Sequence, residues 1–147
     1  MKICIVSSIG GHLTEIMALR EEYEKYRHFY VFNDRIQFDD SANYYQITHS
    51  ERDLKILKNF YEAFKILNKE RPSIILSAGA GPIVPFAIIG KFLFGCKIIY
   101  IESFTSVTSP SLTGRLMYKL NLTNLFFYQW PELNIYFPNA VYSGLIF

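Results

Sequence analysis

Ile3-Cys4-Ile5-Val6-Ser7-Ser8-Ile9-Gly10-Gly11-His12 and, further on, Ile74-Ile75-Leu76-Ser77-Ala78-Gly79-Ala80-Gly81-Pro82 decide the fold. Each begins with a short apolar run that lacks polar alternation, the pattern of a strand covered on both faces. Each then passes through a turn of small residues with glycine and leads into a helix-like segment. Strand, glycine turn and helix start together leave backbone N–H groups under the positive end of a helix dipole, which suits anions. Two such turns in one parallel sheet predict a phosphate-bearing ligand at the carboxyl edge of that sheet.

Outward from these turns, strands and helices alternate. A helix is expected over Gly11–Tyr26, with Leu13, Ile16, Met17, Arg20 and Tyr23 on one stripe. Strands follow at Phe29–Phe32 and Tyr44–Ile47, joined by a polar loop from Asn33 to Asn43. Ser50 and Asp53 resemble a capping box before a long helix that runs to Lys69. Leu54, Leu57, Tyr61, Phe64 and Leu67 are its expected core stripe, and Arg71-Pro72 ends it. Strands at Ser73–Leu76, Lys97–Ile101 and Leu125–Tyr128 alternate with helices at Ile83–Phe94, closed by Gly95, and Ser111–Leu120. A short turn at Pro131–Tyr136 and a last strand at Val141–Tyr142 complete the chain. The alternation predicts an α/β fold, a Rossmann-like doubly wound parallel sheet.

A length of 147 residues fits a single domain with a proper core. Hydrophobic residues make up 50% and charged residues 19%, so some bulky apolar groups are expected at the surface, facing a partner or a membrane. The net charge of +2 is too small to argue for nucleic acid. Cys4 and Cys96 lie at apolar strand starts and read as buried free thiols in a reducing compartment. Met1-Lys2 runs straight into a strand, so no leader is expected. The apolar stretch from Pro82 to Phe94, interrupted by Lys91, falls short of the ~20 residues needed to span a bilayer. The expected location is cytoplasmic, with peripheral contact at the inner face of the cell membrane.

The chemistry concentrates at strand ends. Gly10 and Gly11 allow close backbone approach to a phosphate, with Ser8 in the same turn, and His12 sits in the first helical turn beside it. A neutral imidazole there can take a proton from an attacking hydroxyl, and the same residues also fit a tight turn with His12 as a cap. Gly79 and Gly81 either contact a ligand or pack the turn against its neighbour. Glu102-Ser103 ends a strand, where a carboxylate can bind sugar hydroxyls, orient a catalytic group or cap a helix. Asp34 lies where a ribose-binding acid would follow the second strand, but the full G-x-G-x-x-G fingerprint is absent. His28 and His49 are isolated and read as structural or surface residues. No cluster has metal-ligand spacing.

Six segments occur in an order that resembles a known family. They are Ser8-Ile9-Gly10-Gly11-His12-Leu13, Ser77-Ala78-Gly79-Ala80-Gly81, Tyr100-Ile101-Glu102-Ser103, Ser111-Leu112-Thr113-Gly114-Arg115-Leu116, Gln129-Trp130-Pro131-Glu132-Leu133 and Pro138-Asn139-Ala140-Val141-Tyr142-Ser143-Gly144. The chain is similar to the acceptor-binding, membrane-associated subunit of two-component UDP-sugar glycosyltransferases. Eukaryotic members help add the second GlcNAc to dolichol-linked oligosaccharide. Bacterial members of the PssD/CpsF type act in capsular or exopolysaccharide synthesis. The order also resembles the N-terminal half of the MurG-type GlcNAc transferase.

The resemblance implies the N-terminal half of a GT-B glycosyltransferase, with the donor UDP-sugar held mostly by a partner subunit. Ser8, Gly10 and Gly11 would face the diphosphate of a lipid-linked sugar acceptor, with Gly79 and Gly81 as a second phosphate-facing loop. His12 is the implied base, Glu102 would hold the acceptor sugar, and Ser103 belongs to the same substrate-binding set. The implied reaction is inverting. No cofactor is required by it, a divalent cation such as Mg²⁺ on the diphosphate being the one addition the chemistry allows. Eukaryotic members carry an N-terminal membrane anchor that is not expected here, so membrane contact would be peripheral. Leu112, Leu116, Met117 and Leu120 with Arg115 and Lys119, or Phe86, Phe92 and Phe94 with Lys91, are the expected membrane faces, and either set also fits a core-facing stripe. The tail Gly144-Leu145-Ile146-Phe147 fits a docking element for the partner or a last core strand. A stand-alone nucleotide-sugar or dinucleotide enzyme and a non-catalytic membrane scaffold are the rival readings.

Overall fold

The computed structural model describes residues 1–36, 43–50 and 53–146. Seven strands are described: β1 (Lys2–Ser7), β2 (Arg27–Phe32), β3 (Tyr44–Gln46), β4 (Ile74–Ala78), β5 (Lys97–Ile101), β6 (Leu125–Tyr128) and β7 (Val141–Tyr142). They form one sheet in the order β3-β2-β1-β4-β5-β6-β7. Every neighbouring pair is parallel, with Ile3 opposite His28 on one side of β1 and opposite Ile74 on the other. The expected α/β Rossmann-like sheet is therefore present. β1 and β4 lie side by side, so their chains turn away toward opposite faces at a topological switch point.

Alternation along the strands splits the core in two. Ile3 and Ile5 of β1 join Tyr30, Phe32 and Ile101 on one face. This face is covered by α1 (Gly11–Ala18) and the short α2 (Arg20–Tyr23) through Ile16 and Tyr23. Cys4 and Val6 point the other way, toward α3 (Lys55–Glu70), α4 (Ile83–Leu93) and α5 (Leu112–Lys119). Both thiols are buried and free. The single helix expected over Gly11–Tyr26 is broken at Leu19, where the ladder tightens to Leu19 N–H on Ile16 O and Glu22 N–H on Leu19 O.

Helix ends follow their sequence signals. Ser111 Oγ accepts from Gly114 N–H at 2.9 Å at the start of α5. Gly95, at φ 67°, closes α4 while Cys96 N–H reaches back to Gly90 O. Arg71, at φ 48°, ends α3 before Pro72. The Ser50–Asp53 box is not formed as expected: the Ser50 hydroxyl donates to Asn59 Oδ1, and Asp53 accepts from Lys55 N–H.

The expected core stripe of α3 is corrected. Leu54, Leu57, Tyr61 and Phe64 are 84%, 65%, 62% and 44% exposed, and Leu67 alone of that set is buried. The helix instead packs through Asn59, Ala63, Ile66 and Leu67. Asn59 is admitted because its amide donates to Thr48 O at 2.8 Å and Glu62 Oε2 at 3.0 Å. Two helical stripes of this sequence carry apolar residues, and the one with small Ala63 lets α3 approach the sheet and α4. In α5, Met117 is buried while Leu112, Leu116 and Leu120 are exposed. In α4, Phe86 is fully buried, as the core-facing alternative for that set expected, and Phe92 is exposed. No described helix is long and apolar enough to cross a membrane. Most of the 33–43 loop (residues 37–42) and Phe147 of the tail lie outside the described residues.

Candidate functional site

Beyond Ser7 the chain turns through Ser8, Ile9 and Gly10. Gly10 has φ 104° and ψ −140°, a conformation that side chains other than glycine's rarely adopt. α1 begins directly after it, with no side-chain cap and no acidic residue in its first turn. A Cβ added at Gly10 or Gly11 would meet nothing within 4 Å. The first N–H groups of the helix therefore open outward, with no side chain of the turn competing for them.

His12 stands on this first turn with its ring partly exposed and Nδ1 buried. Nδ1 faces Glu15 Oε2 at 3.4 Å, a close charge contact rather than a formed hydrogen bond, and has no other partner among the described residues. Glu15, one helical turn on, is 98% buried and was not singled out from the sequence. Its carboxylate accepts from the Phe104 N–H at 2.5 Å, Gln129 Nε2 at 3.0 Å and the Ser103 hydroxyl at 3.2 Å. Burial by itself would raise its pKa, but the contacts to His12, Phe104 N–H and Gln129 outweigh it and hold Glu15 below the usual glutamate range. The one sequence signal for it was the i,i+3 spacing from His12, which places both on one helix face.

Gly79 has φ 75° and is buried behind the His12 ring. A Cβ there would lie 2.7 Å from His12 Cε1 and 2.8 Å from both His12 Nδ1 and Ser103 Cβ. Of the two expected ligand-facing glycines in this turn, Gly79 instead seats the imidazole. Gly81 is exposed at the start of α4, with Thr113 Oγ1 4.0 Å from where its Cβ would be.

Glu102 is corrected most. It is fully buried, and Oε1 accepts from Ser103 N–H at 3.1 Å and the Ser106 hydroxyl at 2.9 Å. Oε2 lies against the first turn of α5, 1.5 Å from where a Gly114 Cβ would fall. Oε2 is buried there without a hydrogen-bond partner among the described residues, so Glu102 lies wedged between the loop after β5 and α5 and is not among the residues lining the cleft. Ser103 is likewise buried, its hydroxyl shared between Glu15 and Thr105 Oγ1. Ser8 is half-buried, and its carbonyl accepts from the Ser7 hydroxyl. Asp34 is exposed, and its Oδ1 accepts from Arg35 N–H. His28 packs edge-on against Tyr23 and Tyr30, a structural residue as read.

His12, Glu15, Gly11, Thr14, Phe104 and Thr105 line a cleft of about 370 Å³ at the carboxyl edge of the sheet. Trp130 Nε1–H donates to Phe104 O at 2.6 Å and fixes the outer wall. A second hollow of about 330 Å³, lined by Tyr45, Glu62, Lys65 and Lys69, lies at the β3 edge, away from both glycine turns. Among the described residues no group of three or more His, Cys, Asp or Glu could hold a metal ion. The cleft combines uncapped helix N–H groups with an imidazole braced from behind. It can hold an anion and move a proton at a neighbouring hydroxyl.

The comparisons with known proteins show the family by sequence and the fold by structure. The profile of the family described as "Oligosaccharide biosynthesis protein Alg14 like" matches residues 47–146. Human "UDP-N-acetylglucosamine transferase subunit ALG14" is 24% identical over 182 residues, covering 99% of this chain and 83% of that protein. The Mus musculus protein of the same name is 27% identical over 183 residues with the same coverage. Among solved structures, Acinetobacter baumannii MurG superposes with a TM-score of 0.74 at 14% identity, over 89% of this chain and 42% of that one. The S. aureus MnaA–UDP co-structure does so at 0.70 and 13%, over 99% and 45%. The chain therefore spans less than half of these solved chains, and at such identities they bear on the fold alone. The chain belongs to the Alg14-like family of oligosaccharide biosynthesis proteins.

Proposed function

We propose that this Alg14-like chain is the acceptor-side subunit of a two-component inverting glycosyltransferase, acting with a donor-binding partner. Its substrate is read as a polyprenyl-diphosphate-linked sugar, and the sugar comes from a UDP-sugar such as UDP-GlcNAc. The observation that carries this is His12, one residue past an open Gly10-Gly11 turn, at the switch-point cleft of a chain whose relatives are named as transferase subunits. The acceptor diphosphate would sit on the uncapped N–H groups of α1. His12 Nε2 would take the proton of the acceptor hydroxyl as its oxygen bonds to the anomeric carbon. The bond from that carbon to the diphosphate then breaks, and UDP leaves with the electron pair. Glu15, the carboxylate lining the cleft, is fully engaged by its neighbours, so no step is routed through a divalent cation.

A membrane-facing side also follows from this reading. The outward stripe of α3 (Leu54, Leu57, Tyr61, Phe64) and that of α5 (Leu112, Leu116, Leu120) lie on helices covering the same face of the sheet. Lys55, Lys58, Lys65, Arg115 and Lys119 are exposed among them. An apolar face with cationic neighbours suits an anionic lipid surface, which supports reading the protein as peripheral on the cytoplasmic side of the cell membrane. The process proposed is polysaccharide assembly of the capsular or exopolysaccharide kind, as the resemblance of the motifs implies.

The test is reconstitution. The chain mixed with its partner, a UDP-sugar and a polyprenyl-diphosphate acceptor should turn over, and each chain alone should not. His12→Ala in that mixture should cost on the order of 10²–10⁴ in rate. Turnover by the isolated chain would sink the two-component reading, and an unchanged rate would remove His12 as the base. A partner that is fully active alone would favour the scaffold reading instead.

A further inference from the structure

The carboxylate behind His12 is held more firmly than a helix surface residue needs to be. Glu15 Oε1 accepts from two groups whose polarity is fixed. The Phe104 N–H can only donate. The Gln129 amide is oriented by its other contacts: Nε2 donates to Glu102 O at 3.0 Å, and Oε1 accepts from Ile146 N–H at 3.2 Å. Its NH₂ must therefore be the group that faces Glu15, 3.0 Å away. Oε2 takes the Ser103 hydroxyl and points at His12 Nδ1. The ring cannot swing away from it toward the sheet, because Gly79 and Ser103 close that side.

An ionised carboxylate accepts and does not donate. The imidazole nitrogen facing it must then carry a proton, which leaves the lone pair of the neutral ring on the other nitrogen. We propose that Glu15 is the positioning residue that fixes His12 with its proton on Nδ1 and its Nε2 lone pair toward the cleft. This rests on the reading of His12 as the base. When Nε2 takes the acceptor's hydroxyl proton, the ring becomes an imidazolium. Glu15 stabilises that charge without itself being protonated, and the proton stays on Nε2 until solvent removes it.

The first measurement reads the unaltered chain, with a variant used only for assignment. The chain has 3 histidines, and His12→Ala identifies the His12 signals in imidazole ¹H–¹⁵N spectra. Neutral His12 should show the Nδ1–H tautomer, and an Nε2–H tautomer would overturn the inference. The second measurement is Glu15→Gln in the full chain. The Gln carbonyl can still accept from Phe104 N–H and Gln129, but its NH₂ group turned to His12 would flip the ring to Nε2–H. Turnover with the partner should then fall by on the order of 10²–10⁴ with the acceptor KM within about twofold, the pattern of a wrong tautomer. A wild-type kcat in Glu15→Gln, with His12→Ala still inactive, would sink the role of Glu15 and leave His12 standing. A fully active His12→Ala would sink the base reading while the tautomer result still judges the contact.

Discussion

Replacing Gly79 by alanine tests whether the second glycine turn serves the imidazole. The residue has φ 75°, where a Cβ costs about 1–2 kcal/mol of backbone strain. The new methyl would also lie 2.7–2.8 Å from His12 Cε1, His12 Nδ1 and Ser103 Cβ. Carbon atoms in ordinary contact sit at about 3.5 Å or more, so something must retreat by ~0.7 Å. Ser103 is buried and bonded to Glu15, whereas His12 is 32% exposed toward the cleft. The ring is the part that yields, and its 3.4 Å contact to Glu15 lengthens. Strain and overpacking together predict a loss of ~2–4 kcal/mol. At this chain length that lowers Tm by roughly 5–15 °C. A displacement approaching 1 Å in a catalytic group costs up to ~10²-fold in turnover.

Thermal unfolding of the chain and turnover with its partner read the two effects separately. Gly79→Asn divides them further: asparagine tolerates the left-handed region but carries the same Cβ and a longer side chain. On the packing account it should turn over as poorly and melt no higher than the alanine variant. An alanine variant that melts within about 2 °C of the parent and turns over within twofold would refute the packing account.

At Gly114 a methyl would fall 1.5 Å from Glu102 Oε2, inside a fully buried site. Gly114→Ala should therefore lose ~3 kcal/mol or more, or fail to accumulate folded, as measured by urea midpoint or soluble yield. Glu15, held below its usual range, stabilises the fold fully above the ordinary glutamate pKa of ~4.3 and progressively less as pH falls through its lower folded value. Urea midpoints between roughly pH 3 and 7 should show this acid loss, and Glu15→Gln should flatten it. Leu57 and Tyr61 are mostly exposed, so changing both to Glu should leave Tm nearly unchanged. The same pair should weaken flotation with anionic vesicles by at least ~10-fold, given up to ~1.5–3 kcal/mol per apolar side chain inserted. Unaltered flotation would move the membrane face away from α3.

The sheet was legible because its strands are short apolar runs and its helices end on Gly95, Arg71-Pro72 and Ser111, signals set by local chemistry. His12 and the open Gly10-Gly11 turn were legible for the same reason. The α3 stripe was not, because helical periodicity finds two apolar faces in one sequence and prefers the bulkier. Packing chose the face with Ala63 and a satisfied Asn59. Glu102 read from the sequence as a sugar ligand, an orienting group or a cap, and its burial against Gly114, twelve residues on, is visible only in the folded chain. Glu15 was missed because its partners, Ser103, Phe104 and Gln129, are far along the chain and meet it only in the folded sheet.

The geometry also argues about how such a site holds its substrate. The described residues lining the cleft include no Lys or Arg, so on the proposed reading a diphosphate there would rest on backbone N–H groups and the α1 dipole. A helix N-terminus contributes typically 0.3–1 and at most ~2 kcal/mol to a nearby anion. That is far short of the ~8 kcal/mol of a micromolar complex. On the proposed reading the remainder comes from the lipid: once chain and acceptor share a membrane, their encounter is governed by local rather than bulk concentration. The apolar and basic face of α3 and α5 then has a kinetic purpose beyond anchoring. It lets a weak, open phosphate site serve, and that openness keeps the His12 imidazole accessible to the acceptor hydroxyl.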